Sequence, residues 1–539
     1  MFLATGFHFK KSEAFTSDVP QIVSAEMILN KMPLFTQRNN TPQAEIKLEV
    51  SAGDAPLLLT QLEIHLTETS RTNDLAELEA FIYTPNPSTK QNALFGKQIA
   101  TAEKLTIVGQ RALTQGSHSI MINFHVEEFA SLLSTFEIER INVSFSNHES
   151  IMVEAPSSFV FRPATLLRAS GQDNTDTYRI PGIITTNTGT LVAVYDNRYN
   201  NSKDLQEDID IGMSRSTNGG VTWEPMKVIM DMGEWGGRSE RLNGIGDPAI
   251  LYDPNNHTIW VAALWMSGSA PDQMLWWASQ PGMEPHETGQ FILSKSTDDG
   301  LTWSEPINIT RQIKDPKWSL LLQGPGAGIT MRDGTLVFPA QFKEDIGKKA
   351  LDGGQFTAHA TIIYSKDAGN NWHIGTGARP NTTEAQVVEL ADGTLMLNMR
   401  DDRNRTDKGD SNGRAVSVTT DLGKTWTIHP SSNGALQEPN CMASLISTNV
   451  PTGNTSHQVL FFSNPNSRET RTNMTIKTSL DGGLTWPELL QTELYPPAGY
   501  GYSCMTMVDE QTIGIVYEGT KDLIFQKVLV NDLLRRHNP

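Results

Sequence analysis

Apolar and polar residues alternate in several short runs between residues 20 and 155. In Ala44–Val50, Ser119–Val126 and Ile141–Phe145, an apolar side chain recurs at every second position. Alternation with a period of two predicts strands that bury one face, and several such strands in series predict a β-sandwich. Residues 75–80 are also compatible with a helix, because Leu, Ala and Glu have high helix propensity. We therefore predict an N-terminal β-sandwich domain over residues 20–160.

A short string recurs five times in the remainder of the chain. Its common form is S-x-D-x-G-x-T-W, and successive copies are separated by roughly 55 to 80 residues. Ser and Asp side chains hydrogen-bond the backbone of a tight turn, Gly supplies a positive φ, and Trp buries its ring between neighbouring sheets. The copies cover residues 216–223, 296–303, 365–372, 419–426 and 479–486.

This spacing is typical of four-stranded propeller blades and their loops. A structural role for the repeat is favoured over catalysis or calcium binding, because copies on five different blades do not converge on one site. In addition, Asn218 replaces the Asp in the first copy and Asn371 replaces the Thr in the third. A turn tolerates such replacements better than a catalytic centre does.

Further strand-like runs follow the last copy between residues 506 and 530, without a sixth repeat. The simplest arrangement is a ring of six blades, closed where these strands meet the chain entering near residue 165. Closure removes exposed sheet edges. The predicted fold is therefore all-β, with a six-bladed β-propeller over residues 161–539 after the sandwich.

The net charge of −18 argues against partners that need a basic protein face. Neither nucleic acid nor an anionic membrane is an expected partner. Cys441 and Cys504 form neither a disulfide framework nor a zinc motif, and no HExxH, Walker or GxGxxG string is present. We expect no metal and no cofactor. No apolar run approaches the length of a membrane span.

The first residues, MFLATGFHFKKSEAF, carry their basic side chains after the apolar opening, which is the reverse of a signal peptide. Two explanations follow: a cytosolic protein, or a leader that is absent from this chain. We expect the second, with a secreted, periplasmic or cell-surface location in a bacterium.

Propellers bind ligands at one end of a central channel, so site residues are expected from many blades. Arginines and a tyrosine beside strand-like runs are the candidates. They lie in the strings YRIPG (178–182), YDNRY (195–199), LNMRD (397–401), RTNMT (471–475) and GYGYSCM (499–505).

Taken in order, these strings resemble the bacterial sialidases of glycoside hydrolase family 33. The resemblance rests on Y-R-I-P ahead of the repeats, the repeats themselves, E-x-Q-V-V-E-L at 384–390, and then N-M-R, R-x-N-x-T and G-Y-S. It covers roughly residues 165 to 539. Each string alone is weak, but the ordered set is specific. It implies an exo-α-sialidase that removes terminal α-linked sialic acid with retention of configuration.

By this resemblance, Arg179, Arg400 and Arg471 form a triad that binds the sialic acid carboxylate. Planar guanidinium groups make forked, charge-assisted hydrogen bonds to carboxylates, which is consistent with that role. Glu518 matches the family glutamate that holds the first arginine. Arg468 competes with Arg471 for the third position, and a surface ion pair is the alternative for any single arginine.

The resemblance also implies that Tyr502 is the nucleophile and Glu384 its base. Most retaining glycosidases attack with a carboxylate, and sialidases are an exception. A neutral phenol avoids repulsion by the sugar's own carboxylate, but its pKa of about 10 requires a nearby base. Glu389 competes with Glu384, although an odd separation along a strand directs it to the opposite face. Tyr500 competes with Tyr502, and this chain has G-Y-S-C where many relatives have A-Y-S-D.

Asp204 is implied as the general acid and base, six residues after Arg198 as bacterial members space them. Further acidic residues crowd the same loop. Arg198 and Asp247 are implied contacts to the ring substituents of the sugar, although Asp-Pro at 247 also suits a plain turn. Trp265 is a candidate for the pocket of the N-acetyl group, with burial in the core as its alternative.

The expected substrates are sialylated glycans of glycoproteins, glycolipids such as gangliosides, and oligosaccharides such as sialyllactose. Two alternatives of the same class are a trans-sialidase and an intramolecular trans-sialidase. A non-catalytic sialic acid lectin is the alternative from another class, but it would lack the acid, the base or the nucleophile, and all three are present here. The N-terminal domain either binds carbohydrate or acts as a scaffold.

Overall fold

The computed structural model describes residues 20–83, 93–100, 105–452 and 455–535. The chain divides into two compact units, Met1–Thr165 and Leu166–Pro539. Nearly all regular structure in the described ranges is β-strand, which confirms the prediction of an all-β protein. The α-helices of the described ranges are one turn or little more: α1 (Leu275–Ala278), α2 (Thr310–Ile313) and α3 (Val530–Leu534). Short 3-10 helices cover Gln172–Asn174, Glu240–Leu242, Asp402–Arg405 and Glu488–Leu490.

The N-terminal unit contains two antiparallel sheets in its described part. One has the order β1-β3-β8-β5-β6 and the other β10-β9-β4-β7. The strands are β1 (Ile22–Leu29), β2 (Leu34–Phe35), β3 (Ala44–Val50), β4 (Leu57–Leu66), β5 (Leu75–Tyr83), β6 (Ala93–Ile99), β7 (Leu105–Leu113), β8 (Gly116–Val126), β9 (Ile138–Phe145) and β10 (Ser150–Glu154).

The alternating runs supply the core of this unit. Ala44, Ile46 and Leu48 on β3 are buried, and so are the apolar residues at alternate positions of β8 and β9. The helix considered for residues 75–80 does not form, because this segment is part of β5 and pairs with both β6 and β8. Tertiary pairing therefore overrides the local helix propensity of these residues.

The C-terminal unit contains the remaining strands. They are β11 (Pro163–Arg168), at which the units divide, and β12 (Thr177–Thr185), β13 (Leu191–Arg198), β14 (Ile209–Ser216), β15 (Lys227–Met230), β16 (Ile245–Asp253), β17 (Thr258–Trp265), β18 (Gln290–Ser296), β19 (Ile307–Asn308), β20 (Leu320–Gln323), β21 (Gly326–Ala327), β22 (Ile329–Thr330), β23 (Leu336–Glu344), β24 (Thr357–Ser365), β25 (His373–Ile374), β26 (Arg379–Pro380), β27 (Thr382–Glu389), β28 (Leu395–Asp401), β29 (Ala415–Thr419), β30 (Thr427–Ile428), β31 (Ser444–Thr452), β32 (Thr455–Pro465), β33 (Met474–Ser479), β34 (Gln491–Tyr495), β35 (Ser503–Asp509), β36 (Thr512–Glu518) and β37 (Leu523–Leu529).

These strands form sheets that follow one another along the chain. Their orders are β12-β13-β14-β15, β19-β18-β17-β16-β21, β20-β23-β24-β25, β27-β28-β29-β30, β31-β32-β33-β34, and β35-β36-β37 with β11 beside β37. One strand of each sheet packs against a strand of the next: β12 on β16, β16 on β23, β23 on β27, β27 on β31, β31 on β35, and β35 on β12. The series of sheet contacts is therefore closed.

The five repeats form the turn that leads from the third to the fourth strand of a sheet. In the second copy, the Ser296 hydroxyl donates to Asp298 (2.8 Å) and accepts from the Gly300 N–H (2.9 Å), while Asp298 accepts from the Thr302 N–H (2.9 Å). The other four copies make the same three bonds. The repeats therefore fix turns through bonds to their own backbone.

The repeats also lie at the opposite end of their sheets from the candidate site residues. On the paired strands β13 and β14, Ser216 of the first repeat is opposite Leu191, whereas Arg198 is opposite Ile209. The repeat therefore lies a full strand length away from Arg198, and the repeats take no part in the site described below.

Candidate active site

The predicted site residues come from five sheets and lie at the same end of their strands. They are Arg179 at the start of β12, Arg198 at the end of β13, Asp204 in the loop after β13, Asp247 on β16, Glu384 on β27, Arg400 on β28, Arg471 between β32 and β33, Tyr502 just before β35, and Glu518 at the end of β36. The geometry brings most of them into direct contact.

Tyr502 lies at the centre of this group and is 5% exposed. Its hydroxyl donates a hydrogen bond to Glu384 Oε1. Arg400 Nη1 donates to the other oxygen of Glu384 (2.7 Å) and to the Tyr502 hydroxyl (3.1 Å). The phenol is therefore held between a carboxylate that is able to take its proton and a cation that is able to stabilise the resulting oxygen charge.

Burial raises the pKa of Tyr502 well above that of a free tyrosine, and the negative charge of Glu384 adds to this effect. Arg400 and Arg471 act in the opposite direction without outweighing it. The tyrosine is consequently a neutral phenol near neutral pH. Loss of its proton requires transfer to Glu384 rather than prior ionisation.

Arg179 is held from behind by the fully buried Glu518. Its Nε donates to Glu518 Oε1 (3.0 Å), which also accepts from the N–H of Ile180 (2.8 Å). Burial alone would lower the pKa of Arg179. The negative charges of Glu518 and Asp204 outweigh burial and raise this pKa above its ordinary value. The other oxygen of Glu518 accepts from the Tyr502 N–H (2.9 Å). One carboxylate thus positions both a cation and the backbone of the central tyrosine.

The guanidinium of Arg471 also lies close to the central tyrosine. Its Nη1 donates to the carbonyl of Tyr500 (2.8 Å) and its Nη2 to the carbonyl of Asn440 (3.3 Å). The guanidinium carbons of Arg471 and Arg179 lie 5.4 Å and 5.2 Å from the centroid of the Tyr502 ring. Together with Arg400, three cations therefore surround one phenol.

Asp204 lies at the open side of the group, with its side chain 53% exposed. Its Oδ1 accepts from Arg198 Nη1 (2.7 Å) and is 3.6 Å from Arg179 Nη1. Partial loss of hydration near the protein raises the pKa of Asp204. The positive charges of Arg198 and Arg179 outweigh this effect and lower the pKa of Asp204 below its ordinary value. The site without substrate therefore holds Asp204 ionised.

Asp247 is linked to Arg198 through the carboxylate of Asp196. Asp196, which is 1% exposed, accepts from Arg198 Nη2 (2.8 Å) and, at its other oxygen, from the Asp247 N–H (2.8 Å). Asp247 has a positive φ of 58°. Burial and the charge of Asp196 raise the pKa of Asp247 well above its ordinary value. Asp247 therefore favours its protonated form more than an exposed aspartate does.

The competing residues lie elsewhere or have other contacts. Glu389 is at the far end of β27 and binds the backbone and side chain of Arg332 (2.8 and 3.0 Å). Arg468 pairs with the exposed Asp410 (3.1 Å). Tyr500 packs its ring against the guanidinium of Arg179, with the carbon 4.4 Å from the centroid. The choices of Glu384, Arg471 and Tyr502 are thus the ones that the geometry favours.

Trp265 is 4% exposed and belongs to a hydrophobic cluster between two sheets. It packs edge-on against Trp235, with the ring centroids 5.2 Å apart. The core alternative for Trp265 is therefore the one that its surroundings support.

Two residues that the sequence reasoning passed over complete the site. The side chain of Asn440 accepts from Arg400 Nη2 (2.9 Å), and its backbone carbonyl accepts from Arg471. Asn440 therefore bridges the two guanidinium groups. Asp196 links Arg198 to Asp247, as described above. Asp196 stands two residues before Arg198 on a strand, and this spacing places both side chains on one face.

One group of potential metal ligands occurs in the described residues, and it lies in the N-terminal unit. Glu77, Glu79 and His125 hold their donor atoms within 4.8 Å of one another. The Lys97 ammonium contacts both carboxylates, at 3.3 Å from Glu77. A protein cation thus already balances the charge of this group. No helix in the described ranges is both long and apolar enough to cross a membrane.

Comparisons with known proteins place this chain in a family. Residues 189–516 match the model of the BNR repeat-like domain. A sialidase of Bacteroides fragilis is 46% identical over 434 residues, which cover 80% of this chain and 77% of the relative. A sialidase of Micromonospora viridifaciens is 31% identical over 359 residues, covering 65% of this chain and 51% of the relative.

A solved structure, the Hadza microbial sialidase Hz136, superposes with a TM-score of 0.80 at 39% identity, covering 94% of this chain and 99% of the other. The fold and these relatives make the protein a glycoside hydrolase. Within that class, the chain belongs to the bacterial sialidases that carry BNR repeats, which confirms the resemblance noted in its sequence. The closed series of sheets is consistent with the β-propeller fold of sialidases.

Proposed function

We propose that the protein hydrolyses terminal α-linked sialic acids from glycoproteins, glycolipids and oligosaccharides, with retention of configuration through a sialyl-tyrosine intermediate. The observation that carries the proposal is the hydrogen bond from the Tyr502 hydroxyl to Glu384, formed among the guanidinium groups of Arg179, Arg400 and Arg471. The catalytic domain is residues 161–539, as a six-bladed propeller. Residues 20–160 form a β-sandwich, for which carbohydrate binding stays a prediction.

In this mechanism, the three arginines bind the carboxylate of the sugar and orient its anomeric carbon toward Tyr502. Arg400 reaches both Glu384 and Tyr502, so the bound carboxylate lies next to the attacking oxygen. An anionic nucleophile would be repelled by that carboxylate, whereas the neutral phenol is not. As the bond between the Tyr502 oxygen and the anomeric carbon forms, the bond from that carbon to the leaving oxygen breaks and the phenol proton moves to Glu384. When water later displaces the tyrosine from that carbon, Glu384 returns the proton to the phenol oxygen.

Asp204 acts as the general acid and then as the general base. It is ionised in the free site because Arg198 and Arg179 lower its pKa. A bound sialic acid brings a negative charge to Arg179 and opposes that effect, so binding raises the pKa of Asp204. The acid thus gains its proton when the substrate is present. Its exposed side chain gives the leaving oxygen and, later, a water molecule access to it.

The test compares Tyr502→Phe with the wild type on a fluorogenic α-sialoside. We expect the wild type to cleave it and the variant to lose nearly all turnover while it still binds sialic acid. Tyr500→Phe is the matched control, because it removes a hydroxyl two residues away and keeps the ring that packs on Arg179. An inert wild type, or a Tyr502→Phe enzyme with full activity, would reject the proposal.

NMR of a sialyllactose digest identifies the product formed at the anomeric carbon and so distinguishes hydrolysis from the two kinds of transfer. Release of the α-anomer of free sialic acid supports hydrolysis with retention. A sialylated acceptor would indicate a trans-sialidase, and an anhydro-sugar would indicate an intramolecular trans-sialidase. The secreted, periplasmic or cell-surface location stays a prediction.

A further inference from the structure

Exposed apolar side chains lie on two segments of the C-terminal unit, the stretch around α1 and the loop between β23 and β24, which are joined by the hydrogen bond from Trp276 to Asp352. Trp277 is 47% exposed, Met274 44% and Leu351 51%. Large apolar side chains grouped at a protein surface indicate a contact site more often than scattered ones do. We call Trp277, Met274 and Leu351 the rim cluster.

The Trp277 ring is held firmly from the protein side. The ammonium of Lys343 lies 4.7 Å from the Trp277 ring centroid and 4.0 Å from that of Trp276. Asp352 is 3.5 Å from the same ammonium and accepts from the Trp276 indole N–H (2.8 Å). Lys343 and Asp352 are each only 3% exposed. Trp277 is therefore a fixed aromatic surface, which loses little conformational entropy when a ligand packs on it.

The rim cluster is attached directly to the loop that carries Asp204. The N–H of Leu275 donates to the carbonyl of Leu205 (2.7 Å), and Lys203 pairs with Asp272 (2.9 Å). The residues on both sides of Asp204 thus bind the segment that leads into Trp277. In α1, Trp277 follows Leu275 by two residues.

The other segment of the cluster is bonded to the chain that leads into the strand of Glu384. The N–H of Leu351 donates to the side chain of Asn381 (3.0 Å). Asn381 immediately precedes β27, the strand of Glu384, and its carbonyl accepts from the N–H of Asp402, two residues after Arg400. The two segments that carry the rim cluster therefore bind the loop of Asp204 on one hand and the residue that precedes the strand of Glu384 on the other.

The geometry points to the rim cluster, with Trp277 as its main element, as the binding surface for the sugar that carries the leaving oxygen. This inference deepens the proposed function and rests on it. Asp204 has to lie within hydrogen-bond reach of the leaving oxygen, so the leaving sugar extends along the Asp204 loop. The apolar C–H face of a pyranose packs well on a flat, fixed aromatic ring.

A second copy of the chain is a poorer occupant of this surface. Stable protein interfaces bury about 1,200–2,000 Å², whereas three exposed side chains offer much less apolar area than that. The cluster is also continuous with the candidate site through the bonds at Leu275 and Leu351. Its position therefore matches a ligand that already occupies the site.

The test measures steady-state kinetics of Trp277→Ala on two substrates and the affinity of one inhibitor. The substrates are 3′-sialyllactose, which has a sugar leaving group, and the methyl α-sialoside, which does not. The inhibitor is DANA, which has no leaving group. We expect kcat/KM on sialyllactose to fall about tenfold, mainly through KM. We expect kcat/KM on the methyl sialoside and the affinity for DANA to stay within twofold.

Two control variants separate stacking from general damage. Trp277→Phe keeps an aromatic face, and we expect it to retain most of the activity on sialyllactose. Ile428→Ala removes a side chain that is 63% exposed on β30, and we expect no change on any ligand.

An equal loss of Trp277→Ala activity on both substrates, or weaker DANA binding, overturns the inference in favour of a structural role. Unchanged kinetics of Trp277→Ala on sialyllactose also overturn the inference. If light scattering then shows that the wild type is a dimer and the variant is not, a second copy of the chain is the occupant of the surface. If the wild type cleaves neither substrate, the proposed function itself is wrong. This result is distinct from the two above, in which the wild type is active.

Discussion

Glu518→Gln keeps the shape of a buried side chain and removes its charge. In the wild type, Oε1 accepts from Arg179 Nε (3.0 Å) and the Ile180 N–H (2.8 Å), and Oε2 accepts from the Tyr502 N–H (2.9 Å). A glutamine amide has one oxygen and one NH₂ group. In either orientation of the amide, at least one of these three donors faces another donor.

The expected loss of stability follows from burial. The side chains of Glu518 and Arg179 are 0% and 8% exposed, and removing one partner of a buried ion pair costs about 3–5 kcal/mol. We expect the free energy of unfolding of the C-terminal unit to fall by about that amount. Tyr502 also loses the acceptor for its backbone N–H. A misplacement of about 1 Å at a reacting group lowers the rate by about 100-fold, and we expect that loss in kcat/KM.

Urea unfolding followed by tryptophan fluorescence measures the first effect, and hydrolysis of a fluorogenic α-sialoside measures the second. Asp176→Asn is the matched control, since the Asp176–Lys521 pair (2.9 Å) joins the same two segments of chain but is 33% and 43% exposed. An exposed pair contributes about 0–1 kcal/mol. If Glu518→Gln proved as stable and as active as Asp176→Asn, the positioning role of Glu518 would be refuted.

Two further predictions concern pH. The pKa of Asp204 is lowered in the free site by Arg198 and Arg179, and bound substrate opposes this. We therefore expect the alkaline limb of the kcat profile to lie at higher pH than that of kcat/KM, and coincident limbs would contradict the argument. In the second repeat, hydrogen bonds from Thr302 outweigh the opposing effect of burial and lower the pKa of Asp298 from 3.8 to about 2. Its contribution to stability is fully present above about pH 4 and is lost as the pH falls through about 2. The stability difference between wild type and Asp298→Asn in urea unfolding should therefore shrink over that range, and a constant difference would count against it.

The sequence predicted the strands well wherever alternation was regular. Ala44–Val50 alternates without interruption, and its predicted strand matches β3. Residues 75–80 show the limit of such reasoning. Their helix propensity is a local property, whereas the strand depends on pairing with β6 and β8, whose residues are distant in sequence. No local pattern in this segment reveals those partners.

The same limit applies to the candidate site. The strings around Arg179, Arg400 and Tyr502 were visible because they are short and ordered, so the resemblance found them. Asn440 has no such string, and its importance comes from reaching two arginines on other segments. A bridging residue of this kind becomes visible only when the distant segments that it joins are placed together. The catalytic roles assigned to all these residues stay predictions until the variants are measured.

The bond between Glu518 and Arg179 joins positions that are 339 residues apart. At a synthesis rate of about 5–20 residues per second, the ribosome adds this glutamate roughly 20 to 70 seconds after the arginine. A nascent or truncated chain that ends before the last sheet therefore carries the cation without its anchor. The chain therefore becomes active only when its translation is nearly complete, and we expect prematurely terminated chains to be inactive.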